Sequence, residues 1–124
     1  MAQSAGLHEP EDRLSSAVIN RHRAVVSIQE ELEAVDWYDQ RVEATDDAEL
    51  ASILAHNRDE EKEHAAMMLE WLRRHDPVLD RHLRTYLFTT APVVEIEAAA
   101  EAADGGGGGA SGSFGIGSLR GESL

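Results

Sequence analysis

The chain of 124 residues contains no cysteine. That excludes a disulfide scaffold, a Cys-ligated zinc finger, an iron–sulfur cluster and a thiol nucleophile. It also leaves no rubredoxin-type iron site, so a rubrerythrin-like peroxidase is disfavoured. Aromatic residues make up only 5% of the chain, and prolines number three. No apolar run approaches the roughly 20 residues a membrane span needs. Residues 1–11 have no apolar segment of the secretory kind, so no signal peptide is expected there. Basic residues are scarce, with 11 Lys and Arg against 24 Asp and Glu, giving a formal charge of −13. Nucleic acid and an anionic membrane surface are therefore not expected as partners. A metal cation is compatible, because a negative field concentrates cations.

What is present divides into a folded part and a tail. Residues 1–14 show no sustained period and are expected to be disordered. Residues 15–97 mix charged and apolar side chains at helical spacing and form the expected helical domain. Residues 98–113, with the run Gly105 to Gly109, read as a flexible linker, its Ala/Glu-rich start prone to fray. Residues 114–124 place Phe114, Ile116 and Leu119 after that tether, which suggests a docking tag as readily as a frayed terminus.

The first long helix is expected over about Ser16 to Val42. On a wheel centred on Glu31, the residues Ala24, Ile28, Val35, Tyr38 and Val42 fall within about 60°. Glu31 therefore projects from an apolar seam. Glu30, Glu33 and Trp37 gather on another side. The second helix is expected to start at Asp46, with Glu49 completing a capping box. It ends before Pro77, which disfavours a helical Asp76. On a wheel centred on Glu61, Leu50, Leu54, Asn57, His64, Met68 and Leu72 fall within about 60°. A third, shorter helix is expected over about Val78 to Phe88. Met67 and Met68 read as core or as packing near Glu61. His22, His56, His75 and His82 read as surface residues, and Trp37 reads either as packing or as a gate.

Polar side chains in the middle of an apolar stripe need compensation. Glu61 and His64 form Glu-x-x-His, whose i, i+3 spacing sets a carboxylate and an imidazole side by side. A hard oxygen with a borderline nitrogen suits iron, manganese or zinc. A buried Glu–His hydrogen bond is the alternative for the motif by itself. Glu31 shifts the balance. Di-iron carboxylate bundles take one Glu from each of two helices and one Glu-x-x-His from each of two others. This chain supplies one helix of each kind and so holds half a site. Two copies about a two-fold axis would supply the rest, with Glu61 of each available to bridge. A small monomer also leaves apolar surface uncovered.

Three runs now carry a resemblance: EELEAVDWYDQR (Glu30 to Arg41), AHNRDEEKEHAAM (Ala55 to Met67) and HLRTYLF (His82 to Phe88). With GSFGIGSLRGES (Gly112 to Ser123), which is similar to an encapsulin-targeting peptide, the chain resembles the encapsulated ferritins. The resemblance implies an all-α fold: an antiparallel two-helix hairpin plus a short C-terminal helix, dimerising into a ferritin-like four-helix bundle. It implies dimers assembled as a ring-shaped decamer. It also implies ferroxidase activity at a di-iron site between subunits, with Glu31, Glu61 and His64 as ligands. Glu30 and Glu33 match cation-binding residues on the path to the site, and Trp37 and Tyr38 match the aromatic pair beside it. Ca, Zn or Mn are further metals such a site would take. The implied partner is the encapsulin shell, met through Phe114, Ile116 and Leu119. The implied location is the lumen of that compartment in the bacterial cytoplasm. A metal-binding module without turnover and a metal-free oligomeric scaffold are the competing functions.

Overall fold

A computed structural model describes residues 6–107. The order of elements is a 3₁₀ turn at Glu11–Arg13, then α1 Ser16–Ala44, α2 Ala48–Arg74, α3 Pro77–Tyr86 and α4 Val93–Gly107. The fold is all-α, with no strand among the described residues. The chain divides into two compact units, Met1–His75 and Asp76–Leu124. Residues 6–14 include that short 3₁₀ turn, so part of the segment expected to be disordered has defined structure. No helix among the described residues is long and apolar enough to cross a membrane.

The first unit is an antiparallel hairpin of α1 and α2. Ser15 caps α1, its hydroxyl accepting the Val18 N–H at 3.2 Å. Capping satisfies one of the amides that a helix start leaves unpaired. The helix ends at Thr45, which is extended and donates its N–H to the Arg41 carbonyl. The cap of α2 is Asp47, which accepts the Leu50 N–H at 2.9 Å. Asp46 was the sequence-based expectation, one residue too early. The Thr45 hydroxyl accepts the Asp47 N–H at 3.1 Å and holds this backbone extended until Asp47. Three linking residues leave α2 no course except back along α1. Arg58 on α2 meets Asp39 on α1 at 3.0 Å across the hairpin.

The hairpin has a thin core. Ala24, Ala65 and Leu72 are the buried apolar residues among those described. Val18, Val25 and Leu32, spaced seven apart on α1, are 39%, 42% and 53% exposed. Ile53 and Met67 on α2 are exposed as well, so of the two readings of Met67 a place in the core is not met within one chain. His22 is half-buried, while His56 and His75 are exposed. His75 stacks on Trp71 with ring centroids 3.9 Å apart. Its Nδ1 lies 2.8 Å from the Trp71 carbonyl and donates there, which closes the end of α2.

Near that end, Glu70 accepts from Arg73 Nε at 2.8 Å and from Arg74 Nε at 2.6 Å. These two guanidinium groups pull its carboxyl down to about 2. A folded-state value below the unfolded one stabilises the fold above the unfolded pKa of about 4.3. That contribution fades as pH falls from about 4.3 towards the folded value. Glu70→Gln is therefore expected to lower the melting temperature slightly at pH 7, with the gap closing by pH 2. Circular dichroism melts of both proteins across that range check it. A gap constant with pH would contradict the assignment. The effect is small because the pair is solvent-screened.

In the second unit, Asp76 caps α3 by accepting the Leu79 N–H at 3.0 Å, and Pro77 occupies the first turn. Proline fits there because its missing N–H has no helical partner at that position. The helix ends at Tyr86, and Leu87 and Phe88 lie outside it. Phe88 has φ 63 and is 90% exposed. Residues Val93–Gly107 form α4. The flexible linker expected from residue 98 is thus corrected over 98–107, where the chain is helical. Alanine and glutamate are strong helix formers and carry the helix into the first glycines. Tyr86 is pushed up by burial and by the nearby Glu97 and Glu101 carboxylates.

Candidate metal centre

Glu31 stands in the middle of α1, and Glu61 and His64 stand one turn apart on α2. Folding the hairpin brings one ligand atom from each within 4.8 Å of the others. His64 Nδ1 lies 3.6 Å from Glu31 Oε1 and 3.4 Å from Glu61 Oε1. Ligands with bonds of about 2.1 Å at tetrahedral or octahedral angles sit about 3.0–3.4 Å apart. The cluster is therefore close to the spacing a single cation imposes. It is the one group of three or more potential ligands among the described residues. Its side chains are 26%, 25% and 46% exposed. The centre thus lies on an open face of the hairpin, and three protein ligands leave coordination positions free.

The electrostatics favour a cation at this point. The Glu31 carboxyl is pushed up, first by its hydrogen bond to Glu61, then by burial and by the Glu61 charge. Glu61 is pulled down by that same hydrogen bond. Two carboxyl groups in contact cannot both be charged at low cost, and that cost raises Glu31. A divalent cation held between the two carboxylates would offset that repulsion. For His64, desolvation is the largest influence and acts downward. The hydrogen bond to Glu61 and the charges of Glu31, Glu61 and Glu60 outweigh it, so the imidazole is raised. An imidazole, two carboxylates and a local negative field fit a first-row divalent metal.

The other sequence-predicted residues lie outside the cluster. Glu30 is exposed and Glu33 half-buried. Trp37 is 50% exposed and lines an open surface hollow of about 330 Å³ with Gln40 and Arg41. The Tyr38 ring lies under the Arg41 guanidinium at 5.5 Å. Phe114, Ile116 and Leu119 lie outside the described residues. One residue near the centre escaped the sequence reading. Glu60 is 4.0 Å from His64 Nε2 and 3.9 Å from His56 Nε2. The signal was available: His56, Glu60 and His64 follow one another at i, i+4 spacing on one helix face.

Comparison with known proteins places the chain among relatives. The sequence model of a family described as EncFtn-like matches residues 6–90. An encapsulated ferritin-like protein of Rhodospirillum rubrum is 61% identical over 99% of this chain and 94% of its own length. An encapsulin nanocompartment cargo protein of Myxococcus xanthus is 39% identical over 48% of this chain and 45% of its own. A crystal structure of a protein from Nitrosomonas europaea superposes with a TM-score of 0.69 at 60% identity. It covers 71% of this chain and 97% of that one.

Proposed function

The chain belongs to the EncFtn-like family of encapsulated ferritin-like cargo proteins, and from that premise we propose that it is a ferroxidase. It oxidises Fe(II) to Fe(III) at a di-iron site built between two subunits. The observation that carries this reading is the convergence of Glu31, Glu61 and His64 within 4.8 Å on an exposed face of the hairpin. The uncovered apolar stripe of Val18, Val25 and Leu32 supports a second copy as the source of the missing ligands. A seven-residue spacing is what a helix offers to a partner helix. Two copies supply two Glu31, two Glu61 and two His64, with each Glu61 placed to bridge. Closure of such dimers into a ring-shaped decamer is the assembly that the family resemblance implies.

Iron is the substrate here. Fe(II) is drawn to the acidic surface, where Glu30 and Glu33 bind it on the way in and Trp37 and Tyr38 flank the path. At the site, His64 gives nitrogen while Glu31 and Glu61 give anionic oxygen. Anionic oxygens stabilise the higher charge of Fe(III) and so make electron loss easier. Two Fe(II) held together give one electron each to O₂. With two protons taken up, the oxygen leaves as hydrogen peroxide. A second pair of irons and two more protons would carry the reduction to water. Fe(III) then leaves for storage as mineral in the lumen of an encapsulin shell, to which residues 114–124 attach the protein.

The test is Fe(II) oxidation in air by the purified chain, followed by absorbance and oxygen uptake. A rate well above the protein-free control, removed in His64→Ala, is the expected result. Metal binding without turnover would reduce the assignment to a metal-binding module. Dimers that form with no metal bound at any concentration would leave only a helical scaffold.

A further inference from the structure

The two nitrogens of His64 face opposite carboxylates. Nδ1 is turned to Glu31 and Glu61 at 3.6 and 3.4 Å, while Nε2 is turned to Glu60 at 4.0 Å. Glu60 and His64 are four residues apart on α2, on the same side of the helix. A neutral imidazole carries its single proton on one nitrogen and offers a lone pair on the other. A cation held by Glu31 and Glu61 needs that lone pair on Nδ1. The proton must then sit on Nε2, and Glu60 is the acceptor on that side. At 4.0 Å the separation is too long for a direct hydrogen bond, so the Glu60 oxygen would reach the Nε2 proton through a bridging water.

We propose that Glu60 is a positioning residue, whose carboxylate holds the His64 proton on Nε2 and so presents Nδ1 to the cation. This rests on the metal-centre reading above and deepens it. Without Glu60, the competing tautomer with the proton on Nδ1 gains ground. That proton points at Glu31 and Glu61, which accept it readily, and it blocks the ligand position. Metal binding must then first move the proton to the other nitrogen. The two carboxylates that make the site acidic thus favour the wrong tautomer, and Glu60 counters them. His56 competes for the second oxygen of Glu60, at 3.9 Å, and leaves the first to His64. Glu60 is half exposed, and alanine is a better helix former, so its replacement leaves α2 intact.

The experiment measures Co(II) affinity of the full chain by titration calorimetry and the His64 tautomer by ¹⁵N chemical shifts in metal-free protein at a pH where the ring is neutral. Glu60→Ala is expected to weaken Co(II) binding about 10-fold, the low end for loss of a partner behind a ligating histidine. Its shifts should move towards the Nδ1-protonated form. Glu60→Gln keeps an acceptor oxygen and loses the charge. It is expected to stay within about threefold of wild type, the scale of one screened charge near the site. Affinity and shifts unchanged in Glu60→Ala would overturn the proposal. So would a Glu60→Gln as weak as Glu60→Ala, since that would assign Glu60 to charge attraction alone. A His64→Ala arm keeps the two readings apart. If His64→Ala binds Co(II) as tightly as wild type, the metal-centre reading itself fails. If His64→Ala loses binding and Glu60→Ala does not, only the positioning role falls.

Discussion

Replacing Glu61 with alanine is expected to bring Fe(II) oxidation down to the protein-free rate while leaving the hairpin folded. Glu61 interacts with both other members of the cluster, raising Glu31 by its contact and charge and lying 3.4 Å from His64. In the proposed dimer it is also the bridge, so one substitution removes two ligands from each site. Loss of a partner behind a ligand costs about 10–100-fold in affinity or activity, and loss of a ligand itself costs more. The fold should tolerate the change. Glu61 is a quarter exposed, and alanine suits a helix interior. Removal of the Glu31–Glu61 repulsion would even favour the metal-free protein. Glu43→Gln provides the control, because it removes an exposed acidic charge on α1 without touching the cluster. Stopped-flow absorbance on the three proteins decides the matter. A Glu61→Ala protein that oxidises iron at the wild-type rate would sink the site assignment.

The hairpin and its cluster were legible because their signals are periodic. Glu31 sits among apolar residues on one wheel, and Glu61 with His64 interrupts the stripe on the other. A face that breaks its own hydrophobic pattern at matching depths on two helices announces what the fold brings together. The misplacements came where the signal is local and two residues compete. Thr45 to Leu50 reads TDDAEL, and both aspartates can cap. The Thr45 side chain decides for Asp47, a choice no periodicity contains. The glycine run drew the linker boundary back into α4, although Ala98 to Ala103 favours helix. Glu60 was passed over because a wheel treats a side chain as a direction. An imidazole has two reactive ends, and the second faces a neighbour about 100° away from Glu61.

Deleting residues 114–124 is expected to leave iron oxidation unchanged and to reduce loading into encapsulin shells to background. The argument starts from the residues: Phe114, Ile116 and Leu119 are the large apolar side chains that follow the glycine run before the final Leu124. Each contributes roughly 1.5–3 kcal/mol when fully buried. Three together, about 4.5–9 kcal/mol, reach only the lower part of the roughly 4–15 kcal/mol lost when two molecules become one. A single tail should therefore bind weakly, and the isolated peptide should show only low affinity for the shell. The proposed ring, presenting many tails, would change the arithmetic. Once the first has docked, the others bind at high effective concentration, and avidity rises by about 10²–10⁴. Co-expression with the shell protein, followed by quantification of cargo per shell, gives the readout. Replacing Phe114, Ile116 and Leu119 together by alanine should match the deletion, and Phe114→Ala alone should give partial loading. Full loading after the deletion would show that another surface docks the protein. Tight binding by the free peptide would show that one tail suffices, and that multivalency has no part in loading.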